Sequence, residues 1–127
     1  MFIINPDKSI FVTRGDIGSI VLRSKTATNT GESYLFKVGD VLRLQVCEKN
    51  NYGRVVLKKE LVVGEESPAV SIQLSSIDTK IGDVINKPVD YWYEIELNPD
   101  TANQTLIGHD SDGPKIFRLY PEGDDGQ

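Results

Sequence analysis

The sequence predicts an all-β fold, an antiparallel sandwich or a small barrel. Three observations predict it. Apolar residues recur at every second position, turn residues fall every 8–12 positions, and no stretch of 10–12 residues carries a helical period. Alternation of this kind marks strands with one buried face, the pattern of antiparallel sheets.

The elements follow in order along the chain. Ile10 to Thr13 and Ser19 to Arg23 are short strand candidates separated by Arg14-Gly15-Asp16, and Tyr34 to Lys37 is a third. In Val41 to Val46, Leu42, Leu44 and Val46 face one way and Arg43 and Gln45 the other. Lys49 to Gly53 reads as a hairpin loop leading to a strand with Val55, Leu57, Leu61 and Val63 on one face, against Val56, Lys58, Glu60 and Val62. Val70 to Leu74 precedes one helical turn at Ser75 to Thr79, which Ser75 or Ser76 can cap. The clearest alternation sets Val89, Tyr91, Tyr93, Ile95 and Leu97 inward, against Asp90, Trp92, Glu94 and Glu96. Asn98 to Asn103 is a second hairpin loop before Gln104 to Ile107, and Lys115 to Tyr120 is the last strand. Residues 1–120 therefore form a single domain, and residues 121–127 an acidic C-terminal tail without an apolar residue.

Composition narrows the function. The chain has 127 residues, 39% of them apolar, enough for one domain with its own core. Fourteen Lys and Arg against 19 Asp and Glu give a net charge of −5, which lacks the basic footprint of a nucleic-acid binder. Residues 1–64 carry ten Lys and Arg against six Asp and Glu, and residues 65–127 carry four against thirteen, a polarity that favours directional assembly if it survives folding. A single cysteine, Cys47, excludes an internal disulfide and a Cys-rich zinc site, and a single histidine, His109, excludes any scheme needing two. No apolar run approaches the ~20 residues of a membrane-spanning helix. Pro6 and Asp7 interrupt the opening apolar residues, so they do not read as a signal peptide, and a cytoplasmic site of synthesis is expected.

Each motif with possible chemistry has a plainer reading. Arg14-Gly15-Asp16 is a good strand-to-strand turn, and adhesion would require it at an exposed loop tip. In His109-Asp110-Ser111-Asp112-Gly113 the acid and hydroxyl are only chain neighbours of the imidazole, and the two carboxylates lack the further ligands of a calcium loop. Glu94 and Glu96 stand about 7 Å apart on one strand face, which is open to glycosidase chemistry but reads first as a solvated surface. Trp92 is the most informative side chain, because a large aromatic on a polar strand face is either roofed by a loop or an anchor for a partner. Trp92, Glu94, Glu96 and Tyr52 are thus the candidate interface; catalytic, cofactor and metal residues are expected to be absent.

The order of these pieces resembles a known family. Ile10-Phe11-Val12-Thr13-Arg14-Gly15-Asp16-Ile17-Gly18 is followed by Tyr34-Leu35-Phe36-Lys37-Val38-Gly39-Asp40-Val41-Leu42, a Lys-bearing hairpin, Ile77-Asp78-Thr79, Tyr91-Trp92-Tyr93-Glu94-Ile95-Glu96-Leu97, Gln104-Thr105-Leu106-Ile107-Gly108 and Phe117-Arg118-Leu119-Tyr120-Pro121. From about residue 9 to 121 this is similar to the N-terminal β-sandwich domain of baseplate upper proteins and tail-fibre adaptors of phages of Gram-positive bacteria. The resemblance implies an immunoglobulin-like antiparallel β-sandwich of about 7–9 short strands and a virion structural subunit without catalysis or cofactor. Its partners would be copies of itself and other virion proteins, with no nucleic acid and no membrane, and its place the virion, or the host cytoplasm during assembly. In that family the domain usually precedes a long stalk or fibre, and the Gly82 to Pro88 segment is longer here than expected. Two alternatives stay open, capsid decoration or a head fibre, and a carbohydrate-binding module contacting host glycans through Trp92 beside Tyr91 or Tyr52.

Overall fold

In the computed structural model, residues 1–23, 35–101 and 103–122 are described, and they form nine strands and no helix. The strands are β1 (Phe2–Ile4), β2 (Ile10–Thr13), β3 (Gly18–Arg23), β4 (Val41–Glu48), β5 (Asn51–Val62), β6 (Ala69–Leu74), β7 (Val89–Leu97), β8 (Gln104–Ile107) and β9 (Lys115–Tyr120). Seven of them make one sheet in the order β1-β2-β9-β7-β4-β5, with β8 pairing β7 off this path, and β3 and β6 make a separate two-stranded ribbon.

Period-two alternation builds the core. Leu42, Leu44 and Val46 of β4, Tyr93 and Ile95 of β7, Phe117 and Leu119 of β9, and Ile10 and Val12 of β2 all point to one side of the large sheet. Ile20 and Leu22 of β3 and Ile72 and Leu74 of β6 meet them from the ribbon, and Phe36, Val63 and Ile81 complete the cluster. Two β layers therefore enclose one apolar core, and burial of that surface is the main driving force for folding.

One pairing differs from the fully antiparallel expectation. β2 runs parallel to β9, with Ile10 beside Phe117 and Val12 beside Leu119, while every other pairing is antiparallel. Parallel neighbours need a long connection, and here nearly the whole domain lies between the two strands. All four of those apolar residues are fully buried, which places this pairing at the centre of the core.

Several local expectations are also refined. β1 was not anticipated from the sequence. Phe36 contributes only an isolated bridge to Ser67, and Tyr34 lies outside the described residues. Residues 75–79 form the single turn the sequence predicts, closed by the Thr79 amide donating to the Ser75 carbonyl at 3.3 Å. Ser75 caps it: its amide donates to Asp78 Oδ2 at 2.8 Å and its hydroxyl accepts from the Asp78 amide at 3.2 Å. Of the acidic tail, Pro121 and Glu122 are described, and Glu122 accepts a 2.7 Å hydrogen bond from Arg14. Residues 123–127 lie outside the described residues.

Candidate functional site

The four residues singled out in the sequence, Tyr52, Trp92, Glu94 and Glu96, lie on or against the outer face of the large sheet. Trp92, Glu94 and Glu96 reach it by the alternation of β7, opposite in sense to the buried Tyr93 and Ile95. Tyr52 arrives by a different route. Val46 pairs with Leu57 and Cys47 with Val55, so Val56 is surplus to the β4–β5 ladder and Val55 turns to the outer side. Glu48 then pairs with Asn51, which leaves Tyr52, Gly53 and Arg54 surplus as well. The expected five-residue loop is therefore a two-residue connection at Lys49-Asn50, with Asn50 at φ 67°, followed by a bulge. The bulge folds Tyr52 onto Trp92, with ring centroids 5.1 Å apart and planes tilted 42°.

His109, from the β8–β9 connection, completes the cluster. Its ring lies 6.3 Å from Trp92, edge-on at 82°, and 6.4 Å from Tyr52. The preceding Gly108 packs tightly on its own connection, where a Cβ would stand 2.7 Å from Thr105 Cγ2. The Cys47 thiol lies next to Trp92 across the ladder and donates to the Trp92 carbonyl at 3.4 Å. Sequence reasoning placed His109 in a solvated turn; the signal for its contact with Trp92 is the short β8, which returns the chain to the same face.

The electrostatics follow from this crowding. Burial, then Glu96, raises the Glu94 carboxyl above its ordinary value. Burial, then Cys47 and Glu94, raises the Tyr52 phenol, and burial with Glu94 raises the Cys47 thiol, which is therefore not a poised nucleophile. Trp92 Nε1 and Tyr52 Oη are shielded from solvent and have no protein partner among the described residues.

Glu96 belongs to a neighbouring group. It stands across the ladder from Arg43, whose guanidinium is held by Glu60 at 2.6 Å and Asp100 at 2.8 Å. Further along the face Arg118 binds Asp90 at 2.6 and 3.2 Å and lies 5.1 Å over the Phe11 ring, which packs edge-on against Tyr120.

The motifs weighed for chemistry take structural positions. Arg14 is mostly buried, donating to Glu122 and to the Gly82 carbonyl at 2.7 Å each, so the Arg14-Gly15-Asp16 turn does not present its guanidinium to a partner. Asp110 Oδ1 accepts from Lys115 Nζ and from the Asp112 amide, both at 2.9 Å. Among the described residues no group of three or more His, Cys, Asp or Glu is placed to hold a metal ion. No family model, curated protein or solved structure matches the chain.

Proposed function

We propose that this chain is a non-enzymatic structural subunit that works by protein–protein assembly, as a baseplate, tail or fibre adaptor of a phage or prophage. The observation that carries the reading is where the exposed apolar side chains lie. The two outermost strands of the large sheet hold five of them: Ile3 (45% exposed) and Ile4 (40%) on β1, and Val55 (43%), Val56 (37%) and Val62 (64%) on β5. Edge strands with apolar side chains template pairing with another chain, and proteins that work alone blunt such edges. The resemblance to baseplate upper proteins supplies the virion context, the virion itself and the host cytoplasm during assembly. A capsid decoration or head fibre would use the same edges.

We propose further that the two sheets form an immunoglobulin-like β-sandwich. The order β9-β7-β4-β5 follows the G-F-C-C′ order of variable-type immunoglobulin domains, and the β3–β6 ribbon takes the place of strands B and E. β1 and β8 are additions to that plan.

The purified protein is expected to sediment as a multimer, or to pellet with particles from an induced lysogen that encodes it. A protein that stays monomeric at every concentration and remains in the supernatant would overturn the reading.

A second reading has its own observation, the Tyr52–Trp92–His109 aromatic cluster on the outer face beside Glu94 and Glu96. Aromatic faces flanked by polar groups suit a sugar ring, so a host glycan is the ligand class it points to. Titration of cell-wall glycans by calorimetry, with Trp92→Ala as control, decides it. Saturable heat abolished by the substitution supports a glycan module, and an absence of heat with the parent protein removes it.

A further inference from the structure

We infer that two copies of this chain pair through β5, antiparallel about a twofold axis at Lys59, to give one continuous sheet. This deepens the assembly reading and rests on it. The segment from Val55 to Val63 reads Val-Val-Leu-Lys-Lys-Glu-Leu-Val-Val, which is the same in both directions except at Lys58 and Glu60. Antiparallel pairing centred on Lys59 sets Val56 opposite Val62 and Leu57 opposite Leu61 of the second copy. The one departure from the palindrome sets Lys58 opposite Glu60, twice, so the mismatch is a pair of opposite charges.

The fold presents this segment in the way such pairing needs. β5 ends the large sheet, and no described strand lies beyond it. The Val63 amide donates to the Asp40 carbonyl at 2.8 Å, and its carbonyl accepts from Gly39 at 2.9 Å, so the backbone groups of Val63 point toward the β4 side. Strand alternation then turns those of Leu61, Lys59 and Leu57 the same way and those of Val62, Glu60 and Lys58 to the open edge. The proposed register joins Lys58 to Glu60 and Glu60 to Lys58, which are residues whose backbone groups are turned outward.

Side-chain faces agree as well. Leu57 and Leu61 sit across from Val46 and Leu42 on the core side, and Lys58 and Glu60 across from Gln45 and Arg43 on the outer side. The Leu57–Leu61 and Lys58–Glu60 pairs therefore each share one face. The pairing stops short of Val55, which an irregularity at Val56 turns to the outer side while Val63 lies in the core. Lys58 has no ion-pair partner among the described residues. The exposed Val56 and Val62 become covered. Lys59 is the residue that could oppose pairing, since an inward charge guards many edge strands. Here its ammonium is held by Asp78 of its own chain at 2.9 Å, which offsets the repulsion across the axis.

Sedimentation equilibrium on the full chain and on K58E and E60K tests the register, with circular dichroism to verify that each variant is folded. The parent is expected to dimerise. Each variant alone sets two like-charge pairs across the axis and should dimerise about tenfold more weakly. An equimolar mixture of the two restores both opposite pairs, so a K58E–E60K heterodimer should regain the parent affinity. A dimer indifferent to either charge, or a mixture no tighter than its components, overturns the register while leaving assembly through another surface standing. A monomeric parent that dimerises only as Lys59→Ala overturns it too, because Lys59 would then be a guard. A monomer that still pellets with particles separates failure of this pairing from failure of the assembly reading.

Discussion

Tyr93 links the middle of the large sheet to the turn between β1 and β2. Its ring is buried against Phe117, with centroids 6.4 Å apart, and its hydroxyl donates to the Lys8 carbonyl. Lys8 stands at φ 74°, in a turn held by the Asn5 amide on the Ser9 carbonyl and by Asp7 on the Ser9 amide, both at 2.9 Å. Tyr93→Phe keeps the packing and leaves that carbonyl unpaired, so urea unfolding should show a loss of about 1–2 kcal/mol. A loss within error would mean the turn does not depend on the bond. Ionisable residues give a second prediction. Glu94 is held above its ordinary value of 4.5 by burial and Glu96, so its contribution to stability is present in acid and lost as pH rises through the raised value. Glu94→Gln should therefore melt above the parent at pH 7, and the two should converge near pH 4. Asp90 goes the other way, lowered from 3.8 by its hydrogen bond to Arg118. Burial alone would raise Asp78, but the Ser75 amide, Lys59 and the Ser75 hydroxyl carry it below 3.8. Stability from these two is present above about pH 4 and falls as they protonate below it, which thermal melts of the parent from pH 6 to pH 2 will follow.

Among elements, the turn at residues 75–79 and the β2–β3 turn depend on each other. Thr79 is fully buried; its hydroxyl donates to the Asp16 carbonyl at 2.8 Å and accepts from the Gly15 amide at 3.0 Å, where Gly15 has φ 91°. Thr79→Val is nearly isosteric and orphans both groups, so it should cost about 1–3 kcal/mol in urea unfolding and melt the turn first by amide exchange at Gly15. An unshifted midpoint would show that water replaces the hydroxyl. The strands themselves were readable from alternation. β2, β8 and β9 carry the bounds that the apolar pattern marks, and β7 buries Tyr93 and Ile95 and turns its acids, half-buried, to the opposite face as the pattern requires. What alternation cannot encode is which strands become neighbours, so the parallel β2–β9 pair was invisible in it. Three-residue β1 is too short to show a period. The bulge that brings Tyr52 to Trp92 breaks the period, and for that reason the sequence placed both residues on a candidate surface without showing that they touch.

At the scale of the molecule, charge and shape bear on assembly in different ways. The basic first half and acidic second half interleave in the fold, where Arg14 pairs with Glu122, Arg43 with Asp100 and Lys59 with Asp78. Much of the polarity legible in the sequence is thus taken up within one chain, and it is the apolar, self-complementary edge that remains for a partner. A sheet extended through β5 in two copies would have β1 at both ends, each with Ile3 and Ile4 exposed, which gives a closed pair further surfaces for growth. The role of the edge is read most directly by amide hydrogen exchange at Lys58, Glu60 and Val62, measured at low and high protein concentration. The account predicts exchange that slows at these three amides as concentration rises, while exposed loop amides stay unchanged. Equal rates for the three at both concentrations, in a protein that nonetheless self-associates, would contradict it.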